Sequence, residues 1–210
     1  MSPEEQQQGL WRNCEDSIRH ALQHFSEGAY EDDDFHHRKW ALLSVAHAAE
    51  TYGNLLLCTF DPQHPPKGYY PQLKKLREAL KDHRRLSAIE REVFDVVLKD
   101  LADQRNTLMH EPAPEKPKVT DAAIALLSLL HIIRRRTGLL TKEFIDQSPP
   151  VEQDILEHIP ARDHQRWFDL AERLARAEHG DYLEGCDNCG ACAIPPGEPC
   201  QACFSERRGL

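Results

Sequence analysis

Three polar residues near the end of one helical stretch have the chemistry needed to act on a phosphate group. The segment DQRNTLMHEP contains Arg105, Asn106 and His110, and it follows the regular apolar periodicity of SAIEREVFDVVLKDLA. An arginine can neutralise a phosphate, and a histidine can transfer a proton near neutral pH. Asn106 and His110 share a helix face, whereas Arg105 and His110 lie about 140° apart on an ideal helix. Because Pro112 disfavours helical geometry just before it, we expect His110 in a loosened last turn, where its ring can swing toward Arg105 or a second subunit.

The strongest spacing signal is a run of cysteines near the end of the sequence. The segment CDNCGACAIPPGEPCQAC holds five of the seven cysteines. Cys186 and Cys189 form one C-x-x-C pair, and Cys200 and Cys203 form another. Two such turns can place four thiolates tetrahedrally around a zinc ion. So few residues cannot fold on apolar burial alone, so the sequence predicts a structural zinc that supplies folding energy.

Other uses of these cysteines stay open. An iron–sulfur cluster could use Cys186, Cys189 and Cys192, although the usual fourth cysteine followed by proline is absent there. Disulfide or redox use is the third interpretation, and a reducing location disfavours it. Cys192 is expected to be a buried thiol or a replacement for Cys189. A zinc closed by four thiolates has no open position for a substrate, so this module does not by itself predict catalysis.

Helices must position both groups of residues. Apolar residues recur at three- and four-residue steps, and no alternating strand pattern occurs before residue 180, so the sequence predicts an all-α protein. Ser2 followed by Pro3 predicts the first helix, which Gly28 ends. A second helix is predicted over about 35–59, and a short helix is predicted from Pro71. Ser87 and Glu90 form a capping box that predicts the start of the next helix. A very apolar helix follows, capped by Thr120 and Asp121 and ending before Gly138. Two more helices are expected after that glycine.

The domain organisation follows from these elements. We expect an antiparallel helical bundle over residues 1–140, a helical linker over 141–180 and a four-cysteine zinc module over 181–210. Cys14 and Cys58 lie on apolar helix faces and are predicted to be core residues. Four histidines on helices are interpreted as core or interface residues and not as ligands: His36, His37, His47 and His131.

Charge and hydropathy limit the classes of function. The net charge of −9 argues against a protein that coats nucleic acid in general. Residues 67–136, however, carry fifteen basic and ten acidic groups, so a local basic surface could still hold a phosphate backbone. Solvated helix faces explain the same charges equally well. No apolar run approaches the length of a membrane span, and the polar N-terminal sequence does not resemble a signal peptide, so we expect a cytoplasmic protein with no membrane partner.

At the motif of Arg105 and His110 the chain resembles the HEPN superfamily, the higher eukaryotes and prokaryotes nucleotide-binding domains. Members are helical bundles with an arginine, a polar residue, three further residues and a histidine, which RNTLMH matches. The resemblance covers about residues 10–138 in helix order and rests on this short motif. It implies RNA cleavage that needs no metal ion, at a site that two domains of a homodimer form together.

The resemblance also implies roles for individual residues. Arg105 would hold and neutralise the scissile phosphate, and Asn106 would orient His110 or the phosphate. His110 would act as general base or acid on the ribose 2′-hydroxyl or the leaving 5′-oxygen. Family members often have an acidic residue on an earlier helix near the arginine, and Glu50 in AHAAETYGN is the candidate.

Three functions compete on this sequence. Many HEPN proteins are toxins or antiviral effectors, which makes RNA, a second copy of the chain and an antitoxin protein the expected partners. Some are inactive, so a module that binds RNA, a nucleotide or a protein without catalysis is the second interpretation. An adaptor whose zinc tail is the working part is the third. The acidic balance favours the last two, and the intact Arg105, Asn106 and His110 favour the ribonuclease.

Overall fold

The computed structural model describes residues 2–28, 34–62, 73–110, 119–138 and 151–205. This part contains seven α-helices, one 3-10 turn and an isolated antiparallel bridge between Glu184 and Ile194, and it contains no strand. The predicted all-α class is therefore confirmed. The helices are α1 (Pro3–Gly28), α2 (Asp34–Phe60), α3 (Leu73–Lys81), α4 (Ala88–His110), α5 (Val119–Thr137), α6 (Val151–Glu157) and α7 (His164–His179).

The chain divides into two compact units. The first comprises residues 1–126 and the second residues 127–210. Helices α1 to α4 and the beginning of α5 therefore belong to the first unit. The rest of α5, together with α6, α7 and the cysteine-rich tail, belongs to the second.

An antiparallel hairpin of α1 and α2 contributes to the core of the first unit. Early residues of α1 meet late residues of α2, since the Gln7 side-chain amide donates to the Cys58 carbonyl at 3.3 Å and the Cys14 thiol donates to the Ala48 carbonyl at 3.6 Å. Both cysteines are buried, as the sequence predicted. Burial raises the pKa of Cys14 to about 12, so this thiol stays neutral. Each fully buried large aliphatic side chain along the hairpin contributes about 1.5–3 kcal/mol.

A glycine allows α3 to approach α2 closely. A Cβ atom at Gly53 would lie 2.9 Å from Cδ2 of Leu76 and 3.0 Å from Cδ1 of Leu80, so a larger residue here would require these leucine side chains to shift. On its other side α3 is joined to α4 by the ion pair of Arg77 and Asp95, whose Nε and Oδ1 lie 2.6 Å apart. The hydrogen bond from Arg77 lowers the pKa of Asp95. These contacts hold α3 in place between its neighbours.

The predicted capping box is present at the start of α4. The Ser87 backbone N–H donates to Glu90 Oε2 at 2.7 Å, and the Glu90 N–H donates to the Ser87 hydroxyl at 3.3 Å. The same reciprocal pair forms between Ser2 and Glu5 at the start of α1. Each pair satisfies two backbone donors that the first turn leaves without helical partners.

The start of α5 differs from the expectation in detail. Helix α5 begins at Val119, so Thr120 and Asp121 lie inside its first turn. Asp121 Oδ2 accepts a hydrogen bond from the Gln104 side chain at 3.0 Å. The C-terminal glycine signal is confirmed, since Gly138 has a φ of +73° and its N–H donates to the Arg134 carbonyl at 2.8 Å. The expected start of the third helix at Pro71 lies outside the described residues.

In the second unit α7 packs against the cysteine-rich tail. Trp167 is 1% exposed, and its indole N–H donates to the Ala202 carbonyl at 2.7 Å. Glu172 accepts a hydrogen bond from the Cys192 backbone N–H at 3.2 Å. On α5, Arg134 forms an ion pair with Glu198 of the tail. The tail therefore has a small apolar and polar contact surface on α7 in addition to its cysteines.

A helix that spans a membrane needs about 20 predominantly apolar residues. None of the helices in the described ranges combines the length and the apolar character needed to cross a bilayer.

Candidate functional site

The structure places Arg105 beside Glu50. Arg105 lies on α4 and Glu50 on α2, and Nη1 of the arginine is 3.7 Å from Oε2 of the glutamate. The arginine side chain is 43% exposed, whereas the glutamate is 12% exposed. The guanidinium thus has one side toward a carboxylate of its own chain and much of its surface toward solvent, where an anion can reach it.

Glu50 sits in a partly desolvated environment. Burial raises the pKa of this carboxyl, while the nearby positive charge of Arg105 and the proximity of His47 act in the opposite direction. His47 lies one helical turn before Glu50 and is exposed, so it is not a core residue. Its Nδ1 is 2.7 Å from the hydroxyl of Ser17, and that hydroxyl also approaches the Asn13 carbonyl at 2.7 Å. A titratable ring is therefore held at the same surface as the pair of Glu50 and Arg105.

The other two motif residues lie on the last turns of α4. Asn106 is exposed, and the helical backbone continues through His110 without the expected loosening. The side chain of His110 lies outside the described part of the chain. In a regular helix Asn106 and His110 share a face because they stand four residues apart. The structure thus brings Arg105 to Glu50 and leaves Asn106 at the surface next to them.

The end of α4 is also fixed from the side of α5. Gln104 directly precedes Arg105, and its amide donates to Asp121 Oδ2 at 3.0 Å. On the inner face Leu108 is 5% exposed. A buried leucine and an interhelical hydrogen bond therefore hold the backbone that carries Arg105.

Four cysteine sulfurs of the tail converge on one point. The Sγ atoms of Cys186, Cys189, Cys200 and Cys203 all lie within 4.8 Å of one another. The closest pairs are Cys186 with Cys203 at 3.6 Å and Cys189 with Cys200 at 3.8 Å. Four thiolates about 2.3 Å from a tetrahedral zinc ion would be separated by about 3.8 Å. The spacing and the soft donor set therefore fit a single zinc ion.

The surroundings of Cys186 favour its thiolate form, whereas burial raises the pKa of Cys189 and of Cys200. Burial opposes ionisation of Cys186, but hydrogen bonds from the amides of Cys189 and Asn188 and from Ser205 lower its pKa to about 6. Burial raises the pKa of Cys200 to about 11. The turn after Cys186 needs Gly190, whose φ is +77° and whose N–H donates to the Cys186 carbonyl at 2.7 Å.

Cys192 is not part of the four-sulfur group. Its Sγ lies 3.5 Å from the Leu183 carbonyl, and its backbone N–H is directed to Glu172. This placement disfavours the interpretation in which Cys186, Cys189 and Cys192 bind an iron–sulfur cluster. Cys189, and not Cys192, therefore belongs to the four-sulfur group.

One group of candidate ligand side chains was not predicted from the sequence. His24, Glu27 and His37 place three ligand atoms within 4.8 Å of one another. Burial lowers the pKa of His24, so its imidazole favours the neutral form. The signal in the sequence is the pair His24 and Glu27, three residues apart on α1, followed by His36 and His37 on the next helix. Two of the four histidines that were interpreted as core or interface residues, His36 and His37, lie at this cluster.

The chain was compared with known proteins. A scan of protein-family models and searches of curated proteins and of solved structures found no match.

Proposed function

We propose that this chain is a HEPN-type endoribonuclease that acts as a homodimer, needs no metal ion for cleavage and carries one structural zinc in its tail. The observation that supports this most directly is the 3.7 Å approach of Glu50 to Arg105 at the end of α4. The family resemblance places an acidic residue of an earlier helix beside the motif arginine, and Glu50 of α2 occupies such a position. Asn106 and His110 follow on the same helix.

Arg105 binds the scissile phosphate of RNA in this proposal. Its guanidinium is partly exposed and carries five N–H donors, and those not directed to Glu50 can bind phosphate oxygens. Glu50 holds the guanidinium in place, and its partial neutralisation of the charge keeps Arg105 from binding anions indiscriminately. As negative charge builds up on the phosphate oxygens, the guanidinium stabilises the transition state.

His110 and its counterpart in the second subunit transfer the protons. One imidazole removes the proton of the ribose 2′-hydroxyl, and the 2′-oxygen attacks phosphorus. The bond between phosphorus and the 5′-oxygen then breaks, and the second imidazole, in its protonated form, gives a proton to that oxygen. The products are a 2′,3′-cyclic phosphate and a 5′-hydroxyl. Asn106 is placed one turn before His110 and orients its ring or the phosphate.

The tail holds zinc through Cys186, Cys189, Cys200 and Cys203. When bound, the ion cross-links two turns that bury few apolar side chains and so supplies folding free energy. Four thiolates complete its coordination, so the tail provides a rigid surface for RNA or a protein partner and takes no part in the chemistry. This arrangement fits a toxin or an antiviral effector whose activity is controlled by a partner such as an antitoxin.

The experiment that tests the proposal is RNA cleavage by the full chain in the presence of EDTA. Wild-type protein should release products with 2′,3′-cyclic phosphate ends, and DNA, which lacks the 2′-hydroxyl, should bind without being cut. His110→Ala should reduce the rate by about 10²–10⁴-fold. His83→Ala, which changes a histidine in the turn between α3 and α4, is the matched control. Equal cleavage by His110→Ala and wild type, or RNA binding with no cleavage at all, would replace the enzyme with the binding module.

The homodimer is tested separately. Two copies supply the acid, the base and two arginines, so the two-fold axis should pass near Arg105 and His110. Light scattering at micromolar concentration should give the mass of a dimer. A fully active monomer, or a dimer whose interface lies far from these two residues, would contradict this arrangement.

A further inference from the structure

Two imidazoles and a carboxylate meet near the ends of α1 and α2. Nδ1 of His24 lies 3.2 Å from Nδ1 of His37, and Oε2 of Glu27 lies 3.7 Å from the first nitrogen and 3.5 Å from the second. The three atoms therefore form a nearly equilateral triangle. His37 is 10% exposed and His24 16% exposed at the side chain, so both rings are largely removed from water.

Within this triangle the two imidazole nitrogens are at hydrogen-bonding distance, and each approaches the Glu27 carboxylate at ion-pair distance. Between two neutral imidazoles one nitrogen can donate to the other, and 3.2 Å is at the long end of that range. The separations of 3.5 and 3.7 Å to the Glu27 carboxylate exceed the length of a hydrogen bond. Ligand atoms about 2.0–2.1 Å from a tetrahedral metal ion are about 3.3–3.4 Å apart. All three separations lie close to that value.

We propose that His24, Glu27 and His37 bind a divalent transition-metal ion of the zinc class, at a site separate from the cysteine tail. Imidazole nitrogen and carboxylate oxygen are borderline ligands that suit zinc, cobalt and nickel, and two histidines with one glutamate leave a coordination position for water. The site does not depend on the proposed ribonuclease function. His37 precedes Glu50 by thirteen residues on α2, a distance of about 20 Å along the helix.

The electrostatic surroundings support a cation at this position. His24 and Glu27 lie in the last turns of α1, where the helix dipole favours positive charge. The N-terminal end of α2 beneath His37 acts in the opposite direction. The Glu27 carboxylate itself supplies negative charge that attracts a divalent ion.

The rings of Trp40 and two further histidines border the triangle. Trp40 stacks on His24 with ring centroids 6.4 Å apart, and the rings of His20 and His36 lie 6.1 and 6.3 Å from that of His24. Trp40 is 43% exposed, so it covers one side of His24 and still faces solvent. The chain has three tryptophans, so comparison with Trp40→Phe isolates the emission of Trp40, which paramagnetic cobalt or copper bound nearby quenches.

The test uses the full chain after dialysis against EDTA, and elemental analysis first measures the zinc that stays bound at the cysteines. Titration with Zn²⁺ in a calorimeter should show one further equivalent. Glu27→Gln keeps the shape of an exposed side chain, and His37→Gln removes a buried ligand; each should weaken this binding by about tenfold or more. His83→Ala, an imidazole of the same unit outside the triangle, should bind as wild type does.

Cobalt distinguishes this site from the cysteines. Co²⁺ added to the dialysed protein should give ligand-field bands without the thiolate-to-metal charge-transfer band that cysteine sulfur produces, and it should quench Trp40. Glu27→Gln should lose both signals while its circular dichroism stays that of wild type. The proposal is overturned if wild type binds no zinc beyond the cysteine site, if Glu27→Gln and His37→Gln bind as wild type does, or if the cobalt spectrum shows sulfur ligation.

Discussion

Arg105 on α4 and Glu50 on α2 stand 55 positions apart in the sequence and 3.7 Å apart in space. The carboxylate is the more buried partner, so the pair joins a largely desolvated acid to a base that faces solvent. The 3.7 Å separation and the exposure of the guanidinium limit the contribution of this ion pair to stability to about 0–1 kcal/mol. The ion pair therefore matters mainly because it positions the guanidinium. Substitution of either partner, Glu50 or Arg105, tests this role.

The first prediction concerns the Glu50 carboxyl. Because burial raises its pKa above the ordinary 4.5, the folded state binds the proton more tightly than the unfolded chain. The stability that comes from this proton is present below the unfolded pKa and is lost as pH rises through the higher folded pKa. The free energy of unfolding of wild type relative to Glu50→Gln should therefore rise as the pH is lowered from neutral toward 4.5. Chemical denaturation at several pH values measures this difference.

Glu15→Gln serves as the control for that measurement. It removes a carboxylate that forms a surface ion pair with Arg19 on α1. The stability difference between wild type and Glu15→Gln should not follow the Glu50 profile. A Glu50→Gln difference that stays constant with pH, or falls toward acid pH, would contradict the raised pKa.

The second prediction concerns Arg105. Arg105→Ala should lower RNA cleavage by on the order of 10²-fold or more, because the charge that stabilises the phosphate is lost. Arg105→Lys should restore part of the rate, since an ammonium keeps the charge but cannot bind two oxygens as a planar guanidinium does. Both variants should remain folded because the side chain is 43% exposed. Lys99→Ala, an exposed cation on the same helix, should leave the rate unchanged; a loss of equal size there would assign the effect to overall charge.

Local signals in the sequence predicted the start of α4, the end of α5 and the two C-x-x-C turns. The reciprocal bonds of Ser87 and Glu90 involve residues three apart, so the pattern of types alone identifies them. Gly138 is required by a positive φ at the end of α5, which again is a local constraint. The two C-x-x-C pairs lie within one short segment, so their convergence needs little information from the rest of the fold.

Contacts between helices could not be predicted from local sequence patterns. The approach of His24 to His37 depends on how α1 and α2 are aligned along each other, and a shift by one residue would turn the rings apart. The contact of Glu50 with Arg105 depends on the rotation of α4 about its axis. Side-chain packing sets both quantities, and apolar periodicity gives the face of each helix without its alignment to a neighbour.

The third prediction separates Cys200 from Cys192. After dialysis against EDTA the full chain should contain about one zinc ion, and Cys200→Ser should lose it because three thiolates bind far more weakly than four. Cys192→Ser should retain the metal, since Cys192 lies outside the four-sulfur group. Loss of zinc should also change the fluorescence of Trp167, whose indole donates to Ala202 next to Cys203. Elemental analysis that finds iron with sulfide, or equal zinc loss in both variants, would refute the assignment.

The fourth prediction compares two glycines inside helices. At Gly53 a methyl group would meet the side-chain ends of Leu76 at 2.9 Å and Leu80 at 3.0 Å, so the packing of α3 on α2 must readjust and Gly53→Ala should cost about 1–3 kcal/mol. At Gly9 on α1 no atom lies within 4 Å of a Cβ position, so Gly9→Ala should stabilise the protein by up to about 1 kcal/mol through helix propensity. The two substitutions should therefore change the free energy of unfolding in opposite directions. This difference separates the packing of α3 from the general preference of helices for alanine. Urea denaturation of both variants measures them, and a stabilised Gly53→Ala would show that α3 does not pack on α2 at this distance.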